Sequence, residues 1–372
     1  MADQALTTSA EAAMLPTDLI PESRKRLGRG LVWLASLVLL AVFVGQGLYK
    51  AELTSFGFDT WQPLIYFYVL WGIALGAGQV MTRGEDGYKA LFLLPAVLFT
   101  IAMVVFPTLF GFYIAMTDWN LSSFSGRTFN GLDNFWQMLG DAYYRNALIN
   151  MLIYVAAISV EYVIAFGLAL LLNAQIRARK FFRVVFLLPL MLSPVAVSWM
   201  IGKSLMEYRF GPLARLFRWL GWDTPAFFAN PISAKISIMV LDAWTFIPFM
   251  MIMLLAGLQA MPRDVLEAAK VDGANAWQTF WGVIFPLMLP VSVTAVILRI
   301  IFKLKLADIV ITVTSGGPGG ATDSITSFIY REYRDRSNVG YGTMLAMVYL
   351  ILIIIFVTLL LKLANRFVRN VT

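Results

Sequence analysis

Neither cysteine nor histidine occurs among the 372 residues of this chain. The first absence removes disulfides and thiolate nucleophiles, and the second removes the imidazole general base. Together they remove the usual ligands of zinc and haem, so no metal site and no resident cofactor is expected. Charge is scarce as well. Only 14% of residues are charged against 59% hydrophobic, and mean hydropathy is +0.74. A soluble globular domain does not have this composition. No period-2 alternation is present to support a membrane barrel, which leaves helices as the structures that satisfy their own backbone in lipid. With isolated carboxylates as the remaining catalytic groups, an enzyme acting within the membrane is disfavoured. The net charge of +7 is better read as basic flanks that orient helices than as a nucleic-acid surface.

What is present is apolar sequence in long blocks. Eight stand out, over residues 31–49, 61–81, 88–116, 148–173, 181–206, 236–258, 291–314 and 344–363. A hydrocarbon core of about 30 Å takes about 20 helical residues to cross. The expected fold is therefore all-α: a polytopic membrane protein with eight transmembrane helices. An even count puts both termini on one side. Basic residues favour the N-terminal side, with Arg177, Arg179, Lys180 and Arg183 as the tightest group, so both termini and the 262–290 loop are expected on the cytoplasmic side. Residues 1–22 lack a basic region followed by a short apolar stretch and read as a soluble tail. Trp119, Trp136, Trp219 and Trp222 fall in the opposite loops and suit an interfacial aromatic belt. Pro95, Pro107, Pro189 and Pro194 lie inside apolar segments, where proline frees carbonyls; cavity lining and a merely structural role both account for them.

The polar stretch 262–290 interrupts this pattern. Pro262 suits a first helical turn, Asp264 and Glu267 sit favourably near a helix N-terminus, and Asp272-Gly273 ends the helix. A second short helix restarts near Ala276, and Pro286 and Pro290 lead into the next apolar segment. The expected product is an elbow of two short helices, with small Ala268 and Ala269 beside an acid on the first, a shape that inserts into another protein's groove.

Glu267-Ala268-Ala269, Asp272-Gly273-Ala274 and the closing Ile284-Phe285-Pro286 with Pro290 resemble the EAA loop of permease subunits of binding-protein-dependent ABC importers. Leu93-Leu94-Pro95, Thr117-Asp118-Trp119, Leu188-Pro189 with Ser193-Pro194, and the run from Gly316 to Thr322 extend the resemblance from about Lys89 to the C-terminus. They place the chain in the carbohydrate branch, that of the large maltose-transporter permease. The resemblance implies a cytoplasmic tail over 1–30, two additional helices over 31–87 and a core six-helix permease domain over 88–372, with its coupling loop at 260–290. It further implies a second permease subunit, two ATPase subunits that bind ATP and magnesium, and an external solute-binding protein, with lipid around the chain and no nucleic acid. Glu267, Ala268, Ala269, Asp272 and Gly273 would form the ATPase-coupling handle. The Gly316–Thr322 run lacks the Gly-Lys-Ser/Thr ending of a phosphate-binding loop, so it is read as a turn, and ATP hydrolysis is assigned to another chain.

Charges within the apolar segments mark pathways or buried pairs. Arg299 and Lys303 share one face of the seventh segment, and Lys305 and Asp308, three apart, are read as an ion pair. At 1.5 Å per residue Lys303 would stand about 18 Å from the inner end, near mid-membrane. Two readings stay open. Arg299 and Lys303 bind an anionic group on a sugar-like solute, or they are neutralised by Glu161 and Asp242. Asp242, Trp244 and Thr245 match a region that contacts substrate in the resembled family. With the resemblance, the first reading implies a transmembrane subunit of an ATP-driven importer for an anionic sugar or sugar-like solute across a bacterial inner membrane. The alternatives are a subunit importing a neutral oligosaccharide or polyol and, ranked below it, a secondary transporter using these charges as an ion relay.

Overall fold

The computed structural model describes residues 20–50, 53–124 and 126–371, so most of the expected tail lies outside the described residues. Among the described residues seven helices are long and apolar enough to cross a membrane. They are α1 (Glu22–Lys50), α2 (Gln62–Arg83), α3 (Glu85–Ala115), α5 (Ala142–Asn173), α9 (Pro231–Ala260), α11 (Ala276–Lys303) and α14 (Val339–Val371). Shorter helices complete the chain: α4 (Asp133–Gly140), α6 (Arg179–Met191), α7 (Pro194–Leu205), α8 (Pro212–Trp219), α10 (Arg263–Val271), α12 (Asp308–Val313) and α13 (Ile325–Arg334). A two-residue antiparallel ladder pairs Thr117 with Phe129 and Asp118 with Thr128.

The fifth expected span is not one straight helix. α6 and α7 meet at a bend of 98°. The residue before a proline is pushed out of the helical region; accordingly Ser193, preceding Pro194, sits at φ −68°, ψ 146°. Its hydroxyl accepts from the Ala196 N–H and caps the new helix at 3.1 Å. Elsewhere proline is absorbed without a break. Pro107 and Pro286 cannot donate to the carbonyls four residues earlier, and those residues, Met103 and Gly282, lie in wider π-helical turns over Ile101–Val105 and Phe280–Ile284.

The chain divides into two compact units, one ending at Phe110 and the other beginning at Gly111. In the first, α1 and α2 pack closely along one another, and helix α1 already includes residues 22–30 of the expected tail. Small residues permit this approach, as is usual between helices in lipid. A Cβ on Gly78 would stand 2.3 Å from Val32 Cγ2 and 3.0 Å from the Gly28 carbonyl. Gly78→Val is therefore expected to cost about 1–3 kcal/mol through overpacking. The effect is read as a lower thermal-unfolding midpoint of the purified protein; an unchanged midpoint would contradict the close packing.

In the second unit α9 is central, packing along α5, α6 and α11. Its core is built from small and flexible side chains at helical spacing: Ala165, Ala169 and Leu172 of α5, Met250, Leu254 and Leu258 of α9, and Met288 and Ala295 of α11. The glycine-rich turn after α12 is stitched to α5 by a ladder four residues apart. Asn146 donates to the Gly320 carbonyl at 2.7 Å, Asn150 to that of Asp323 at 3.0 Å and Tyr154 to that of Thr322 at 2.8 Å. Asp323 pairs with Arg331 and accepts from Ser327; even so, burial pushes its carboxyl above the ordinary carboxylate range. The turn is thus a structural fixture, in keeping with its lack of phosphate-binding residues.

Candidate functional site

Two places in the second unit carry functional side chains. The first is the connection between α9 and α11. Helix α10 runs over Arg263–Val271 and ends in the Schellman arrangement, with Ala274 N–H bonded to the Ala269 carbonyl at 3.0 Å and Gly273 N–H to that of Lys270 at 3.1 Å. Gly273 holds φ +76°, which a side chain would oppose. The chain turns and restarts at once: Asn275 and Gln278 cap each other reciprocally, both bonds at 2.9 Å. The restarted helix is not a separate short one. It continues through the π-helical turn, Pro286 and Pro290 as a single 28-residue helix ending at Lys303. Of the predicted coupling residues, Glu267, Ala268, Asp272 and Gly273 are exposed and Ala269 is buried. Glu267 makes no ion pair among the described residues. An exposed acid beside an exposed alanine, on a helix joined through a capped elbow to a long membrane helix, is a surface that no described residue covers. At the neighbouring end of α9, Gln259, its amide oriented to accept, bonds Arg179 at 2.8 Å and Arg183 at 3.1 Å, so part of the basic cluster ties α6 to α9.

The second place is a buried cluster of four charges. Arg299 and Lys303 lie one turn apart on α11 and are wholly buried, and Glu161 of α5 and Asp242 of α9 close on them. Arg299 Nε donates to Glu161 Oε2 at 2.7 Å and Lys303 Nζ to Glu161 Oε1 at 2.8 Å, while both cations also donate to Asp242 Oδ2. Arg299 lies over the Phe246 ring, 4.6 Å from its centroid, a cation–π contact strengthened by exclusion of water. A lone charge at mid-bilayer costs about 2.5–3.5 kcal/mol on insertion scales. Two cations facing two carboxylates cancel that charge, and the four side chains tie α5, α9 and α11 at one level.

A cavity of about 200 Å³ adjoins the cluster, walled by Pro194, Asp242, Phe246, Phe302, Lys305 and Asp308 among others. Here the sequence reading needs correction. Lys305 and Asp308 do not form an ion pair among the described residues, because helix α11 stops at Lys303. Lys305 falls in the break that follows, Asp308 opens a separate helix, and both are exposed to the cavity. For the same reason Lys303 closes a helix that begins at Ala276 rather than sitting midway along one that runs to residue 314. Thr245 is buried and spends its hydroxyl on the Leu241 carbonyl at 2.9 Å. Trp244 is 38% exposed and does not line this cavity; Phe246, two residues on, does. Phe246 and Phe302 are the residues that sequence reasoning missed. Their four-residue offsets from Asp242 and Leu298 carried no signal among so many apolar neighbours. Of the four prolines, Pro194 lines the cavity, Pro189 is buried, and Pro95 and Pro107 are exposed.

These features define a polytopic helical membrane protein with an exposed capped helix between two long ones and a charge-neutral ionic cluster beside a small cavity. The family model described as binding-protein-dependent transport system inner membrane component matches residues 161–370, and the chain belongs to that family. It is 31% identical over 285 residues to the trehalose/maltose transport system permease protein MalF of Thermococcus litoralis, covering 75% of this chain and 94% of that one. It is 30% identical over 266 residues to the sulfoquinovosyl glycerol transport system permease protein SmoG of Agrobacterium fabrum, covering 71% of this chain and 86% of that one. Among solved structures, a bacterial ABC transporter involved in import of the acidic polysaccharide alginate shares the fold, with TM-score 0.66 and 20% identity over 76% of this chain and 96% of that chain. The chain is accordingly a multi-pass inner-membrane transport component and not an enzyme in its own right.

Proposed function

We propose that this chain is a membrane-spanning subunit of an ATP-driven importer for a sugar or sugar-like solute. The observation that carries this reading is α10: an exposed nine-residue helix bearing Glu267, rigidly capped and continuous through Gly273 and Asn275 with a long membrane helix. Such a helix converts movement of a docked partner into rotation of α11 and of the charge cluster it carries. The partners are a second permease subunit, two ATPase subunits that hold ATP and magnesium, and an external solute-binding protein; a relative of this fold has been crystallised with its periplasmic protein holding an alginate pentasaccharide. Both termini and α10 lie on the cytoplasmic side.

The cluster favours a neutral solute over an anionic one. Arg299 and Lys303 are already matched by Glu161 and Asp242, and beyond Asp242 the cavity wall adds one ammonium, Lys305, against one carboxylate, Asp308. An anion would have to displace those carboxylates. Phe246 and Phe302 offer flat apolar faces, and Asp308 and Lys305 offer hydrogen bonds, which together suit a sugar ring. The test is uptake by the four-chain complex with its binding protein in proteoliposomes loaded with ATP. A panel of neutral oligosaccharides and their sulfonated or carboxylated counterparts is expected to give ATP-dependent uptake of a neutral member and a loss of about tenfold or more in Phe246→Ala. ATP-independent uptake would overturn the importer reading, and transport confined to anionic members would overturn the neutral-solute reading.

A further inference from the structure

Helix α6 opens with cations where its own dipole favours acids. Arg179, Lys180 and Arg183 stand in its first two turns, and its first turn holds no acidic residue. None of the three pairs with a carboxylate among the described residues. Over residues 179–185, Arg179 and Arg183 are half-buried, whereas Lys180, Phe181, Phe182, Val184 and Val185 are exposed. What the two arginines meet is one neutral amide. Gln259, which accepts from both, is the penultimate residue of α9 and stands three before Pro262, the N-cap of α10. Across this contact the dipole argument reverses, because positive charge is favourable beside the last turn of a helix.

We infer that Gln259 is a positioning residue of the transport cycle. It ties the start of α6 to the end of α9, so that displacement of α10 reaches the cavity wall through α6 as well as through α11. The inference rests on the importer reading above.

The geometry of α6 supplies the route. Its second half is packed, with Pro189 buried and Phe186 and Leu187 against the core. Beyond it the chain bends by 98° at Ser193, and Pro194, the first residue of α7, walls the cavity beside Asp242 and Phe246. Helix α7 packs in turn on α12, whose Asp308 lines the same cavity. From Arg179 to Met191 the helix spans about 18 Å at its ordinary rise. The elbow and the cavity therefore stand at the two ends of one lever, hinged where Ser193 leaves the helical region. Hydrogen bonds from a charged donor are stronger than those between neutral groups, so one amide suffices to hold two arginines. Without it the first two turns of α6 carry exposed side chains and two guanidinium groups robbed of their acceptor.

The chain has no cysteine, so a single Val195→Cys, beside Pro194 and 43% exposed in the native side chain, reports on this wall. The test is the rate at which N-ethylmaleimide labels that cysteine in the assembled complex with its binding protein, without nucleotide and with ATP trapped by vanadate. With Gln259 intact the two rates are expected to differ by at least about threefold. In Gln259→Leu the difference is expected to vanish while ATP hydrolysis and copurification of the ATPase subunits persist. The triple variant Arg179→Leu, Arg183→Leu, Gln259→Leu removes the tie without stranding a cation and is expected to match Gln259→Leu, because the three groups act as a unit. Gln259→Glu keeps acceptor oxygens for both arginines and is expected to restore the difference. An ATP-dependent difference that survives in the triple variant would overturn the inference, as would its absence with Gln259 intact or its loss in Gln259→Glu. Failure of the triple variant to assemble would overturn it too, because the tie would then serve folding alone. The labelling does not depend on which solute is carried. A difference indifferent to Gln259 therefore sinks the inference and leaves the importer reading to the uptake experiment, whereas ATP-independent uptake sinks both.

Discussion

Arg299→Leu is expected to destabilise the folded subunit by about 3–5 kcal/mol, because it strands Glu161 and Asp242 in a buried site with Lys303 as their single cation. Breaking a buried ionic cluster costs far more than the cluster contributes, since the surviving charges keep their desolvation penalty and lose their partners. The measurement is the yield and thermal-unfolding midpoint of the assembled complex. A charge-balanced double variant, Lys303→Met with Glu161→Gln, leaves one cation facing one carboxylate and is expected to recover most of the stability lost in either single variant. This compensation separates a structural tie from a ligand site. If Lys303→Met instead assembles normally and abolishes uptake of an anionic sugar alone, Lys303 serves the solute and the tie is refuted.

Gly273→Val is expected to uncouple the transporter. Valine in the left-handed conformation costs roughly 1–2 kcal/mol, and its escape from that conformation opens the two bonds that end α10. The elbow then no longer transmits force between α10 and α11. ATP-driven uptake in proteoliposomes should fall by about tenfold or more while the ATPase subunits still hydrolyse ATP. Glu267→Lys acts one step earlier. It reverses the charge of an exposed acid that has no ion-pair partner among the described residues, and copurification of the ATPase subunits should fall by at least about tenfold. Copurification and uptake both unchanged in Glu267→Lys would place the docking surface elsewhere.

Much of this was legible from residue order. Apolar blocks long enough to span lipid identify seven of the eight expected crossings as long helices, because in hydrocarbon the backbone has no other partner than itself. The elbow was legible for the same kind of reason: Pro262 and Gly273 act through their own backbones, so their effect does not wait on tertiary contacts, whereas the side-chain cap at Asn275 went unread. The errors came where periodicity was extended past a break. Arg299, Lys303, Lys305 and Asp308 were placed on one continuous helix, but it ends at Lys303 and the backbone at Ala307, φ −139°, redirects the chain. No residue between 304 and 307 is a strong helix breaker, so nothing local announces the stop. The Leu304, Leu306 and Val310 side chains are buried there, and packing decided the geometry.

The distinction is physical. The sequence by itself determined that this chain lives in lipid, that it has no phosphate-binding loop through which to hydrolyse ATP, and that a capped helix lies in the polar stretch 262–290. Each of these depends on composition or on neighbouring residues. Only the tertiary structure decided whether Arg299 and Lys303 are free. Glu161 lies 138 residues before Arg299, and Asp242 lies 57 before it. Pairing at such separations is set by which faces of α5, α9 and α11 meet, which no local pattern encodes.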